Sequence, residues 1–376
     1  MARLKKKTSS EIEDISEKPI RRKKKAKPTT SNLLSSGSTL LNLACSNNPF
    51  GAFLAGHYYW FAGDSDTGKT FLCMTCFAEA LRHPLFKNYK LIFDNVENGM
   101  LMNLEKLFNK KTADKIQPPK YDENKKPLNS NSIEDFYYNL DDYIKESKKT
   151  KIPFIYILDS MDSLGSESSN DKFEQQKDAY RKGKEVAGSY GDGKAKKNSE
   201  CLRKMLPGLE QTGSILIIIS QTRDDITEKR FKAKTISGGH SLKFYATTQI
   251  WSYPAGAIKR TIKGKERQIG IDVKIRTKKN RITGQKHEVY TRIYPSFGID
   301  DVGACVDYLV SEKWWTKSKQ SITACEFEIT ANREKLISHI EENGLYKELQ
   351  KITGRCWKDI QDACALQRQN RYEIEE

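Results

Sequence analysis

The sequence predicts an α/β fold built on a mainly parallel sheet flanked by helices, and three observations carry that reading. Apolar, β-rich runs recur at 57–63 (HYYWFAG), 90–95 (KLIFDN), 152–160 (IPFIYILDS), 215–222 (ILIIISQT) and 247–253 (TTQIWSY). Helical stretches lie between them, at 69–82 and near 132–148 and 196–211. Strands that are apolar almost throughout, alternating with helices, belong to a sheet covered on both faces. Third, the glycine-rich GDSDTGKT at 63–70 joins the first strand to the first helix, a junction that in such folds carries a phosphate site.

Taken in chain order, residues 1–31 form a basic amino-terminal arm of low hydrophobicity. Its basic runs, Lys5 to Lys7 and Arg21 to Lys25, flank an acidic patch at Glu11 to Glu17. A nuclear-targeting signal, a nucleic-acid arm and simple solubilising charge all fit KPIRRKKKAK equally. The packed core is expected over 32–312. Within it, 110–131 is polar and broken by proline, hence a long surface loop. Residues 254–272 suggest a hairpin-like excursion, and IDVKIRT (271–277) and EVYTRIY (288–294) suggest two strands around a basic turn. Residues 313–376 are polar and predict a small helical carboxyl-terminal region.

The 376 residues carry a formal charge of +16, which favours an anionic partner, nucleic acid first, although charge of this kind also serves solubility. No apolar run approaches membrane-spanning length, and the polar first residues do not predict a secretory signal, so no membrane partner is expected. The eight cysteines are scattered. Cys73 and Cys76 form a CxxC, but inside the first helix beside Phe71, Leu72 and Met74, which predicts core packing. A reducing cytoplasm is expected from the cysteines, or a nucleus given the basic amino-terminal run. No metal beyond a nucleotide-bound Mg²⁺ is expected.

GDSDTGKT fits G-x-x-x-x-G-K-[ST], the phosphate-binding P-loop. Gly63 and Gly68 permit the turn that aims backbone N–H groups at a phosphate. Lys69 reaches for the β- and γ-phosphates and Thr70 for Mg²⁺, while Asp64, Ser65, Asp66, Thr67 and Phe71 complete the loop and helix entry. ATP and Mg²⁺ are therefore the expected cofactors. FIYILDS supplies Asp159 as the acid supporting the metal, and Asp162 follows closely. LIFDNVEN offers Asp94 and Glu97, of which Glu97 is the candidate general base; an ordinary surface carboxylate is the competing reading.

Several separated segments together resemble the RecA-like recombinase family over roughly 33–312. LLSSGSTLLNLACSNNPFGAFLAGHYYWFAGDSDTGKTFL resembles the entry to the ATPase core, and ILDSMDSL the second nucleotide motif. ILIIISQTR resembles the strand ending in a γ-phosphate-sensing Gln, here Gln221. SGGHSLKFYATTQI (237–250) resembles the signature closing the second DNA-binding loop, and KKNRITG (278–284) the segment whose two basic residues act across a filament interface. SFGIDDVGACVDYLV (296–310) resembles the end of the core. The length and divergence resemble bacteriophage UvsX-type members as much as cellular ones.

The resemblance implies a RecA-like P-loop NTPase core. Lys69, Glu97, Gln221, Lys279 and Arg281 would serve catalysis, the last two from an adjacent protomer. One departure concerns Glu97. Two residues separate it from Asp94 where the family usually has one, and Asn95 stands at the usual acid position. The second DNA loop would span 223–237, with Arg223, Lys229, Arg230, Phe231, Lys232 and Lys234, ending at Gly238 and Gly239. The first falls on AGSYGDGKAKK (187–197), with Gly188, Gly191, Gly193, Lys194, Lys196 and Lys197; a flexible linker is equally compatible with that composition. Tyr294 is a candidate adenine contact. The function so implied is an ATP-dependent homologous DNA recombinase, a DNA-dependent ATPase that forms a helical filament on single-stranded DNA and exchanges strands with a homologous duplex. Single-strand-binding or loading proteins are candidate partners. A hexameric helicase of the same fold and a weakly hydrolysing recombination mediator are the alternatives.

Overall fold

The computed structural model describes residues 32–99, 102–167, 177, 181–182, 194–224, 234–236 and 240–368. Its centre is a ten-stranded sheet. In chain order its strands are β1 (Tyr58–Gly63), β2 (Lys90–Asn95), β3 (Ile116–Gln117), β4 (Phe154–Asp159), β5 (Ile215–Asp224), β6 (Lys234–Ile236), β7 (Thr248–Ile262), β8 (Lys265–Asn280), β9 (Glu288–Tyr294) and β10 (Gly298–Ile299). They lie in the order β10-β9-β8-β7-β1-β5-β4-β2-β3, with β6 paired to β5. From β7 to β3 every pairing is parallel; from β7 to β10 every pairing is antiparallel. The mainly parallel α/β sheet expected from the sequence is thus present, extended by an antiparallel wing.

Strand alternation explains why the parallel strands are apolar throughout. On β1, Tyr59 and Phe61 enter one core with helices α1 (Thr39–Ser46) and α2 (Lys69–Arg82). Tyr58, Trp60 and Ala62 enter a second core with α3 (Ile133–Thr150) and α4 (Lys194–Thr212). Ile217 and Ile219 on β5 join the first core and Leu216 and Ile218 the second. Cys73 and Cys76 are fully buried in the first core, as their helical setting predicted. Among the described residues no helix is long and apolar enough to cross a membrane.

Three regions differ from the sequence reading. The excursion at 254–272 is not separate from its flanking strands. β7 and β8 form one long hairpin, paired from Thr248 opposite Asn280 to Ile262 opposite Lys265. Its outer half is exposed on both faces, so no hydrophobic alternation marks it. The loop at 110–131 carries a short helix (Lys110–Ala113), β3 and a two-residue strand pair, Lys120–Tyr121 with Pro127–Leu128, each too short to leave a periodic signal.

The carboxyl-terminal region is not wholly helical. A three-stranded antiparallel sheet (Thr316–Ser318, Ser321–Ala324, Ile329–Asn332) precedes helices α7 (Arg333–Glu342) and α8 (Tyr346–Cys364) and packs with them against α6 (Asp301–Ser311). Trp357 of α8 joins the first core of the main sheet, and its Nε1 donates to Asn47 Oδ1 at 2.9 Å.

Candidate nucleotide and DNA site

The carboxyl ends of β1, β2, β4 and β5 meet at one edge of the sheet, where open parallel sheets bind ligands. There, Gly63 to Thr70 wrap from β1 into α2. Gly68 adopts φ +70°, and a Cβ on it would lie 2.3 Å from Ile293 Cδ1, so only glycine fits without strain. Gly68 also caps α2 without any side-chain hydrogen bond. The first N–H groups of this helix are therefore not taken by a capping side chain, the arrangement that suits an anion. The cleft in front has a volume of about 840 Å³ and is lined by Ser65 to Phe71 together with Asn95, Glu97, Asp159 and Gln221.

Lys69 is buried, and its Nζ donates to the Asp64 carbonyl at 2.5 Å. Burial pushes its ammonium pKa down, against the pull of the Asp159, Asp64 and Glu97 carboxylates. Thr70 Oγ1 donates to Asp159 Oδ2 at 2.6 Å. Burial lifts the Asp159 carboxyl to about 6, opposed by that hydrogen bond and by Lys69. A hydroxyl and a carboxylate oxygen held together beside a phosphate cradle are a hard, all-oxygen donor set, which fits Mg²⁺.

Asp94 and Glu97 separate cleanly. Asp94 is fully buried and accepts from Ser130 N at 2.9 Å, Ser130 Oγ at 2.6 Å and Tyr156 OH at 2.7 Å, so it fastens strands and stands away from the cleft. Asn95 is the last residue of β2, in register with Asp159, and lines the cleft. Glu97 also faces the cleft. Its Oε1 accepts from Gln221 Nε2 at 2.8 Å, from Ser163 Oγ at 3.1 Å and from Ser160 Oγ.

Sequence reasoning did not assign three further contacts. Asp162 Oδ2 accepts from the Gln221 backbone N–H at 2.7 Å. Thr222 Oγ1 donates to Asp64 Oδ1, tying the P-loop to the residue after Gln221. Phe244, 63% exposed, has two cations near its ring, with Lys279 Nζ 5.5 Å and the Arg281 guanidinium carbon 6.0 Å from the ring centre. Only the adjacent acid in ILDSMDSL gave any sequence signal, at Asp162.

Lys279 and Arg281 lie away from the cleft of their own chain. Arg281 Nη2 donates to the Phe244 carbonyl at 2.9 Å and Lys279 Nζ to the Lys243 carbonyl at 3.2 Å, both at the carboxyl end of helix α5 (His240–Tyr245). Tyr294 does not line the cleft, whereas its neighbours Ile293 and Pro295 do.

Among the candidate DNA residues, Gly188, Gly191, Gly193, Lys229, Arg230, Phe231, Lys232, Gly238 and Gly239 lie outside the described residues. Arg223 and Lys234 sit on β5 and β6, where Arg223 pairs with Thr235 and Lys234 with Asp224. Lys196 is exposed and Lys197 lies 3.6 Å from Glu134. Lys194 departs from the reading. It is buried, and its ammonium donates to the Leu164 carbonyl at 2.7 Å, so in this structure it is spent inside the fold and not offered to a phosphate.

A parallel α/β sheet with a P-loop at its carboxyl edge and Gln221 beside it defines a RecA-like core. The family model for the RecA N-terminal domain matches residues 179–300, and this match supports a RecA-like recombinase family for the chain. The matched stretch takes in Gln221, the Gly238-Gly239 segment and Lys279 with Arg281; the P-loop and Asp159 precede it.

Proposed function

We propose that this chain is an ATP-dependent recombinase that assembles as a filament on single-stranded DNA, pairs it with a homologous duplex and exchanges strands. The observation that carries this reading is the hydrogen bond from Gln221 to Glu97. It joins the candidate water-activating acid to the strand that leads into the candidate second DNA loop. A contact of that kind gives nucleotide and DNA a common element to act on.

The P-loop amides and Lys69 bind and orient the phosphates. Thr70 and Asp159 would hold Mg²⁺, which would supply neutralisation of the phosphate charge. Glu97 takes a proton from the attacking water, and Gln221 orients it. Lys279 and Arg281, held away from their own cleft, serve the cleft of the next protomer. The exposed Phe244 beside them suits that contact.

A multiple-turnover ATPase assay with and without single-stranded DNA tests this. DNA-stimulated turnover that disappears in Lys69→Ala is expected; turnover indifferent to DNA, or equal in that variant, would overturn the reading.

A further inference from the structure

The turn at 160–164 touches three elements at once. Asp162 Oδ2 holds the Gln221 amide on β5 at 2.7 Å. Ser163 Oγ and Ser160 Oγ both donate to Glu97, which follows β2. The carbonyls of the same turn receive the buried Lys194 ammonium, Leu164 at 2.7 Å and Asp162 at 3.4 Å, and Lys194 is the first residue of α4.

We infer that Asp162 is a positioning residue through which Gln221, Glu97 and the start of α4 move as one unit. A carboxylate accepting a backbone N–H makes a charge-assisted bond, stronger than a neutral one. It fixes the peptide of Gln221 and so aims the side-chain amide at Glu97. The buried ammonium is bonded to both the Leu164 and the Asp162 carbonyls, and moving it breaks both bonds. Any displacement of the start of α4 therefore pulls on the 160–164 turn, and through Asp162 on Gln221. The functional consequence rests on the reading above: an event at Lys194 reaches the catalytic water by a short protein route that includes neither the P-loop nor the segment after β5.

The test is amide hydrogen exchange on the full-length chain without nucleotide or DNA, comparing wild type with Asp162→Ala, Asp162→Asn and Lys194→Met. Losing a hydrogen bond to a charged group corresponds to about tenfold faster exchange at the Gln221 amide in Asp162→Ala. Asp162→Asn keeps an acceptor oxygen and should restore protection to within about threefold of wild type. Asp162→Ala should also loosen residues 194–198, and Lys194→Met should loosen 220–222. In turnover, Asp162→Ala should lower DNA-stimulated kcat about tenfold while the KM for ATP stays unchanged.

The inference is overturned if each substitution perturbs only its own element, or if Asn protects no better than Ala. Should Asp162→Ala fail to fold, the Asn and Met variants still decide it. Because exchange needs no hydrolysis, a wild type without DNA-stimulated turnover would count against the proposed function and leave this coupling standing on its own measurement.

Discussion

Gln221 Nε2 donates to Glu97 Oε1 at 2.8 Å, across the mouth of the cleft that faces the P-loop. The two residues are 124 positions apart and meet because β2 and β5 flank β4 and end at the same sheet edge. The same oxygen also accepts from Ser160 Oγ and Ser163 Oγ, so Gln221 is one of three donors on it. On the proposed function, nucleotide binding is expected to draw Gln221 away and leave Glu97 held by the two serines.

Replacing Glu97 by Gln should leave nucleotide affinity within a few-fold and lower kcat by roughly 10²–10⁴, the usual contribution of a general base. Replacing Gln221 by Ala should uncouple turnover from DNA, leaving a basal rate that single strands no longer raise. Steady-state ATPase kinetics with nucleotide titrations separate the two effects.

The pH dependence follows from Asp159. Its carboxyl lies near 6 in the folded chain against an ordinary 3.8, raised by burial. A raised folded pKa means that the protonated form is the stabilised one. Its contribution is complete below about pH 4 and is lost as pH rises through 6. The nucleotide-free chain therefore carries a penalty at neutral pH, which Asp159→Asn should relieve by on the order of 3 kcal/mol in denaturant unfolding. Mg²⁺ needs the ionised carboxylate, so Mg²⁺-nucleotide affinity should fall as pH drops below about 6 in wild type and lose that dependence in the Asn variant. An affinity flat between pH 5 and 7 in wild type would contradict the assignment.

Lys279 and Arg281 should act on a neighbour. Arg281→Ala should bind nucleotide normally yet lose about 10³-fold or more of its turnover if it stabilises transferring charge. Mixing Arg281→Ala with Glu97→Gln should recover measurable activity, since some interfaces then combine an intact acid with an intact arginine. A mixture no more active than its components would place the residue elsewhere.

Gly68 sets a stability limit on the cradle. Gly68→Ala meets both a positive φ and Ile293, and should destabilise the chain by about 1–3 kcal/mol. Adding Ile293→Val should return only the steric part, leaving the backbone strain. Urea midpoints of the two variants check this.

What could be read in advance follows from which features are periodic. Five parallel strands and α2 were visible because continuous apolar runs and a glycine-lysine-threonine turn have local signatures. Asp159 was visible because it ends such a run, and Glu97 because it follows one closely. The outer halves of β7 and β8 were not, since both faces are exposed and nothing alternates. Lys194 misled because composition records a charge but not its burial: in a basic, glycine-rich stretch it looks like its exposed neighbour Lys196, yet its ammonium lies under the 160–164 turn. Asp162 and Thr222 were unassigned because their partners, Gln221 and Asp64, become neighbours only when the sheet forms.

The central claim is strand exchange, and joint-molecule formation between a single strand and a homologous duplex, with ATP and Mg²⁺, tests it most directly. Joint molecules that depend on homology and ATP and vanish in Lys69→Ala are predicted. DNA-stimulated hydrolysis by rings that unwind duplex, with no joint molecules, would contradict it.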